Sequence, residues 1–339
     1  MPLSLSVLDQ SPVRSGATAL DAIEETVTLA QAAEACGYAR YWLAEHHGTD
    51  GLAGCSPEVL LSRIGAVTRE IRIGSGGVML SHYSPLKVAE NFALLSTMYP
   101  GRVDLGLGRA PGGDQLTAKA MLYGSRIGIE YYPAKVLDLK AFLYGSDPAN
   151  KSLSRVRVTP RPVIAPEMWL LGSSADSATL AAQFGLPFSF AHFINSTRPE
   201  QIIEHYRQTF SPSDILKQPQ ASICVFAICA ETQVEADHLS SSGALWRVML
   251  EKGTLGPFPS PEEAEAYPYT KTEKLLAEAG KRRGIVGDPA TVKARIEAIA
   301  ASCKVNEVMV VTICHDIRAR LRSYELIASA FDLKRGESL

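Results

Sequence analysis

Met168-Trp169-Leu170-Leu171-Gly172-Ser173-Ser174-Ala175-Asp176-Ser177 passes from a short apolar run, through glycine and two serines, into a helical pattern that reaches Phe184 and stops at Gly185. The apolar run has the length and bulk of a buried strand. Serines at the joint are of the type that caps a helix by accepting hydrogen bonds from its first amides. Gly185 is placed to end the helix. A strand that feeds a helix in this way is the unit of a parallel sheet, whose neighbouring strands need such crossovers.

The same unit recurs along the 339 residues. Leu3 to Leu8 reads as a first strand. The stretch Thr18 to Cys36 follows, with apolar residues at helical spacing (Ile23, Val27, Ala30, Ala33) and Gly37 as its stop. Tyr41 to Ala44 is a second strand, and Ser56-Pro57 opens its helix with a cap and a first-turn proline. Ile71 to Leu80 is a third strand, followed by a helix from Ser84-Pro85 through Met98. Arg102 to Gly108 is a fourth, with a helix from Pro133 to Tyr144 after a long connection. Phe188 to Phe193, Ala221 to Ala230 and Glu307 to Cys314 complete eight strands, with helices from Pro199 to Phe210, from Glu231, and from Ile317 to Phe331.

Eight strands, each followed by a helix, is the count of a TIM (β/α)8 barrel. An open doubly wound sheet fits the same alternation. It usually has fewer strands and a glycine fingerprint at its first crossover, which this chain lacks. The nearest match, Gly106-Leu107-Gly108-Arg109-Ala110-Pro111, follows the fourth strand and has Pro111 at the third glycine position. The chain is read as one barrel domain over 1–339. Its two long connections, 110–132 and 243–288, leave strand carboxyl ends as lid loops.

Composition narrows the partners. Lys+Arg 34 against Asp+Glu 36 leaves a net charge of -2, so no broad basic field draws in nucleic acid. No apolar run approaches the roughly 18–20 residues of a membrane helix. The first residues lack a basic stretch, and Asp9 interrupts them short of an export signal. The six cysteines are widely spaced without a CxxC pair, which argues against a disulfide framework or a zinc site. A cytoplasmic location is expected.

Barrel sites are built at the carboxyl ends of strands. Polar residues expected there are Asp9-Gln10-Ser11, Glu45-His46-His47, Ser75-Gly76-Gly77, Arg109, Ser173-Ser174 and His192. Adjacent histidines leaving a strand face opposite ways and rarely share an ion, so no metal is expected. One of them aimed into the barrel mouth would serve as hydrogen-bond donor or general base, while a structural role for the pair stays open. Glycine in a central strand packs nothing. Gly76-Gly77 therefore points to close backbone approach to a flat ligand or to a bulge. Ser173, Ser174 and Ser177 surround a helix N-terminus, where free amides make a phosphate site. Arg109, leaving the neighbouring strand, is a cation able to pair with the same phosphate. Ordinary capping by Ser173 or Ser174 is the alternative.

Trp42-Leu43-Ala44-Glu45-His46-His47, Gly74-Ser75-Gly76-Gly77-Val78-Met79-Leu80, Gly101-Arg102-Val103-Asp104-Leu105-Gly106-Leu107-Gly108-Arg109-Ala110-Pro111-Gly112 and Trp169-Leu170-Leu171-Gly172-Ser173-Ser174 together resemble the bacterial luciferase-like flavin monooxygenases. The likeness runs through the chain in order, including Val286-Gly287-Asp288-Pro289 near the end. It implies an FMN enzyme on a luciferase-like TIM barrel, a homodimer supplied with reduced FMN by a separate reductase. Such an enzyme activates O2 as a flavin C4a-peroxide and oxygenates a small organic substrate. Carried over by position, His46 resembles the catalytic histidine beside the flavin ring. Gly76-Gly77 matches the dipeptide whose peptide is cis beneath that ring. Arg109, Ser173, Ser174 and Ser177 match the phosphate-binding positions. Glu90 falls on a glutamate of the third helix, taken as part of the cofactor site, and His192 on an aromatic position that flanks the ring.

Three departures separate the chain from luciferase itself. Gly108 stands where luciferase has a reactive cysteine, Ser81 where relatives commonly have proline, and 110–132 does not match the catalytic subunit. Light emission from a long-chain aldehyde is not implied, and the likeness is closer to the single-subunit branch. Two other readings share the fold: hydride transfer with the deazaflavin F420, and a flavoprotein that only stores flavin. A metal-dependent barrel hydrolase is the alternative outside flavin chemistry.

Overall fold

The computed structural model describes residues 3–110, 112–124 and 128–334, so Pro111 and 125–127 of the first long connection lie outside the described residues. Its elements alternate as expected. They run β1 (Ser4–Asp9), α1 (Ala19–Ala35), β2 (Arg40–Leu43), α2 (Pro57–Val67), β3 (Arg72–Met79), α3 (Pro85–Met98), β4 (Val103–Gly108), α4 (Gln115–Leu122) and α5 (Tyr132–Tyr144). After these come β5 (Glu167–Gly172), α6 (Ala175–Phe184), β6 (Phe188–Ala191), α7 (Pro199–Gln208), β7 (Ala221–Cys229) and α8 (Gln233–Glu251). The chain ends with α9 (Pro261–Ala266), α10 (Lys271–Arg283), β8 (Ile285–Gly287), α11 (Pro289–Cys303), β9 (Glu307–Val311) and α12 (Ile317–Ala330).

Strands β1 to β7 pair in order and in parallel, β7 pairs with β9, and β9 pairs with β1. The result is a closed eight-stranded parallel barrel ringed by helices, a TIM barrel. The eighth barrel strand is Glu307–Val311, and the ninth strand, β8, was not visible in the periodicity. At three residues it is too short to show one. It pairs with Ala227–Cys229 at the far end of β7, past the residues that pair with β6. The chain thus leaves β7, runs through α8, α9 and α10, and returns to the edge of the same strand.

The long connections are not bare loops. Within 243–288 lie the end of α8, all of α9 and α10, and β8. The sequence carries the signal for two of these helices as capping boxes, Ser260 with Glu263 and Thr270 with Glu273. In 110–132, Asp114 accepts hydrogen bonds from the amides of Leu116 and Thr117 and starts α4. The sixth strand stops at Ala191 rather than Phe193, because the His192 amide turns back to Phe190 O at 3.1 Å.

Side chains on the outer face of the barrel (Val7, Tyr41, Ile73, Leu105, Phe188) pack under the helices. Those on the inner face (Leu8, Trp42, Trp169, Cys224, Met309) fill the lumen. Trp42 and Trp169 meet edge-on with ring centroids 5.6 Å apart. Below them, at the amino ends of the strands, a charged network closes the barrel. Asp104, fully buried, accepts from Arg40 Nη1 at 2.8 Å and Trp42 Nε1 at 2.9 Å, and pairs with Arg72. Arg40 also reaches Glu307 at 3.0 Å and lies over the Trp169 ring at 5.1 Å. Arg72 reaches Glu167 at 3.1 Å.

Candidate active site

A cavity of about 350 Å³ opens at the carboxyl ends of the strands. Its floor and walls are largely apolar, from Leu8, Trp42, Met79, Leu171, Cys224 and Met309. One wall is backbone, from Gly76, Gly77 and Gly108. Burial pushes the Cys224 thiol well up, so it stays protonated and acts as a small apolar group. Ala110 and Ile129 also line the cavity, so the 110–132 connection contributes to its wall, whereas no described residue of 243–288 does.

The Gly76–Gly77 peptide is cis, and the register between β3 and β4 shifts between Gly76 and Val78. The dipeptide is therefore an irregularity in the strand, and it lines the cavity. Packing also demands these glycines. A Cβ on Gly77 would stand 2.5 Å from Gly106 O, and one on Gly76 2.4 Å from Leu8 Cδ1.

Across the cavity, β5 enters α6. Ser174 caps the helix, its Oγ accepting from the Ser177 amide at 3.4 Å and lying 3.3 Å from Ser177 Oγ. A Cβ on Gly172 would fall 2.2 Å from Ser177 Cβ, so glycine is what lets Ser177 close over the end of β5. Asn195 Nδ2 donates to Ser173 O at 2.9 Å and fastens the joint to the β6 side. Arg109 lines the same cavity, its Nη2 3.9 Å from Asp176 Oδ2. That distance leaves the guanidinium free for a better partner. Arg109, Ser173, Ser174, Ser177, Gly76 and Gly77 thus meet at one cavity, as their types and spacing require.

Three other expected residues do not line it. His46 is half-buried just past β2, with its amide on Gly54 O at 2.8 Å and its Nδ1 enclosed without a hydrogen-bond partner. Burial, with His47 beside it second, pushes its imidazole down to about 4, so the ring is neutral near pH 7. Glu90 stands on α3 in the outer ring of helices, away from the cavity. Ser189 and Ala191 of β6 face the cavity, so alternation sends His192 to the opposite side, into a second hollow beside α10 and α11. It does not flank the active-site cavity.

Glu45 was singled out only as a neighbour of the histidines, yet it organises this rim. Its carboxylate is buried and accepts from Tyr83 Oη at 2.7 Å, from the Met79 amide at 3.0 Å, and pairs with His47 Nε2 at 2.8 Å. It thereby fixes Met79 in the cavity wall. Burial and the facing Glu45 carboxylate raise the Tyr83 hydroxyl far above its ordinary value, keeping it a donor. Asp9 is taken up by the framework, accepting from Arg320 and from Tyr41 Oη at 2.6 Å each. No group of three His, Cys, Asp or Glu side chains among the described residues is arranged to hold a metal ion.

A sequence model of the luciferase-like monooxygenases matches residues 1–130 and 139–305. The chain belongs to the luciferase-like monooxygenase family. Membership makes it an oxidoreductase of the monooxygenase kind. It is 43% identical over 330 residues to the uncharacterized protein YwcH of Bacillus subtilis (strain 168), covering 97% of this chain and 99% of that one. It is 38% identical over 332 residues to the N-acetyl-S-alkylcysteine monooxygenase of the same organism, covering 97% and 98%. Among solved structures, apo-MsnO8 is similar with a TM-score of 0.90 at 36% identity, covering 98% and 99%. More distant likenesses show the fold alone. They include the FMN complex of the oxygenating constituent of 3,6-diketocamphane monooxygenase from Pseudomonas putida (19% identity, TM-score 0.68). An F420-dependent secondary alcohol dehydrogenase is similar at 16% identity with a TM-score of 0.68. This luciferase-like monooxygenase therefore shares its barrel with proteins that hold flavin-type cofactors.

Proposed function

We propose that the chain is an FMN-dependent monooxygenase that receives reduced FMN from a separate reductase and oxygenates a small organic substrate with O2. The observation that carries this is the convergence of Arg109 with Ser173, Ser174 and Ser177 on one side of an apolar cavity whose opposite wall is the Gly76–Gly77 backbone. A phosphate fits the first-turn amides, hydroxyls and guanidinium. A flat ring fits against the stretch of wall that Gly76 and Gly77 give to the cavity. Bound reduced flavin would supply the electrons that activate O2.

The chain's own residues do the rest. Trp42, Leu171 and Met309 keep water from the reacting atoms, and the presence of Ala110 and Ile129 in the wall supports a lid role for the described part of the 110–132 connection. Glu45, through Met79, holds the wall beside the glycines. His46, a neutral imidazole just past β2 and outside the lining side chains, is assigned the role of taking or giving a proton. The whole chain works as one barrel unit. We extend the proposal to a homodimer, supported by large apolar residues left exposed on adjacent helices, Val59 and Val67 of α2 and Leu94 and Met98 of α3. No helix among the described residues is long and apolar enough to cross a membrane.

Titration with FMN, riboflavin and F420, followed by oxygen uptake with reduced FMN, tests this. FMN should bind more tightly than riboflavin, and reduced FMN should consume O2 faster in the presence of a substrate. The relative named for N-acetyl-S-alkylcysteine makes thioethers the first substrates to try. Binding of F420 in preference to FMN, with no oxygen uptake, would replace oxygenation by hydride transfer. Tight FMN binding without turnover would leave flavin storage.

A further inference from the structure

The hollow that receives His192 is a cavity of about 510 Å³ between the end of β6 and helices α10 and α11. His192 and Ser196 line it from the barrel side, Ala279 and Arg283 from α10, and Arg295 and Ile299 from α11. Two guanidinium groups from different helices share it, and no carboxylate does. Arg295 donates one bond, from Nη2 to Gly284 O at 2.9 Å, which leaves the rest of its fork unused. Neither arginine forms an ion pair among the described residues.

His192 is only 9% exposed, and its Nδ1 is enclosed without a hydrogen-bond partner. Burial and then the charge of Arg295 hold its imidazole below the ordinary value, so the ring is a neutral donor and acceptor near pH 7. Two cations facing one hollow repel unless an anion joins them. The planar fork of arginine matches the paired oxygens of a carboxylate or phosphate.

We propose that this cavity binds a small oxyanion, the phosphate or carboxylate group of a ligand, between Arg283 and Arg295, with His192 and Ser196 as hydrogen-bond partners. The site is separate from the Arg109 cradle and independent of the flavin reading. Its occupant ties α10, part of the excursion from β7, to α11 of the barrel wall. Because Ala191 and Phe193 on either side of His192 line the active-site cavity, the tie sits directly behind that cavity's wall.

Imidazole NMR signals of the whole chain, assigned to His192 by loss in His192→Gln, report this hollow and not the cradle. Titration with inorganic phosphate and with acetate, at ionic strength held constant with chloride, should shift them saturably. Arg283→Gln and Arg295→Gln should each weaken that binding about ten- to a hundredfold, the effect of losing one charge-assisted bond. Phosphate saturating at lower concentration than acetate assigns a phosphate group, and the reverse order a carboxylate. Arg283→Gln, at an exposed helix end, keeps the test decisive if loss of the Arg295 bond to Gly284 unfolds that variant. A shift that grows without saturating, or saturable binding unchanged in Arg283→Gln, overturns the proposal.

Discussion

The two ends of the barrel are built from the same eight strands and solve opposite problems. At the amino end, Arg40, Arg72, Asp104, Glu167 and Glu307 spend nearly every polar atom on one another, and Trp42 joins them through its ring nitrogen. At the carboxyl end, the polar groups are held short of full satisfaction. Arg109 stands 3.9 Å from Asp176, and His46 keeps a nitrogen without a partner. A charge network that is complete fixes a shape, and one that is incomplete awaits a ligand. The difference lies in placement, since both ends draw on arginines and carboxylates.

The largest effect expected is at the closed end. Asp104→Ala strips a buried carboxylate from two guanidinium groups and an indole, and breaking such a pair from one side costs about 3–5 kcal/mol. Denaturant unfolding should register that loss, while FMN affinity of the folded protein stays within a few-fold. Wild-type stability in Asp104→Ala would erase the distinction between the ends.

Next comes His46. A general acid–base group contributes about 10²–10⁴-fold, so His46→Ala should slow oxygen-dependent turnover by that order with FMN binding little changed. His47→Ala removes a partner of buried Glu45 and should act chiefly on the melting point. Stopped-flow reoxidation and melting curves separate the two, and the reverse pattern would move the catalytic role to His47.

Arg109→Ala should weaken FMN by about ten- to a hundredfold and leave riboflavin almost unchanged, since one charge-assisted bond to phosphate is worth roughly 1.5–3 kcal/mol. Equal losses for both ligands would mean that Arg109 does not read the phosphate.

The last effect is confined to acid pH. His46 titrates at its ordinary 6.5 when the chain unfolds and at about 4 when folded. Between those values only the unfolded chain takes the proton. Stability from this group is therefore full above pH 6.5 and drains away as pH falls toward 4, and His192 adds in the same direction. His46→Gln should flatten the fall in melting temperature over that window, and an unchanged slope would show the ring to be solvated.

What the sequence disclosed about these ends followed from how local each signal is. The α6 joint was readable because Gly172, Ser174 and Ser177 act on one another within a few residues. The barrel was readable from repeated alternation, and the family model, the relatives and the closed sheet agree with it. His192 and Glu90 do not line the cavity, because a position matched from a resemblance carries neither strand parity nor the direction a helix residue points. The role of Glu45 needed Tyr83 and Met79, more than thirty residues distant, brought to its two oxygens. Helices α9 and α10 were legible in their capping boxes and were obscured by the proline-rich run Gly256-Pro257-Phe258-Pro259-Ser260-Pro261, which drew the whole segment into a loop.

The excursion that departs after Cys229 and comes home at Ile285 begins and ends on one strand edge, with Cys229 and Gly287 side by side. Its two stubs are therefore neighbours whatever lies between them. Such a place is a natural graft point. Lineages can lengthen, shorten or exchange the segment without renegotiating the closure of the barrel. A designer who wishes to transplant a cap from a related chain has the cut sites already marked, at the far end of β7 and the first residue of β8.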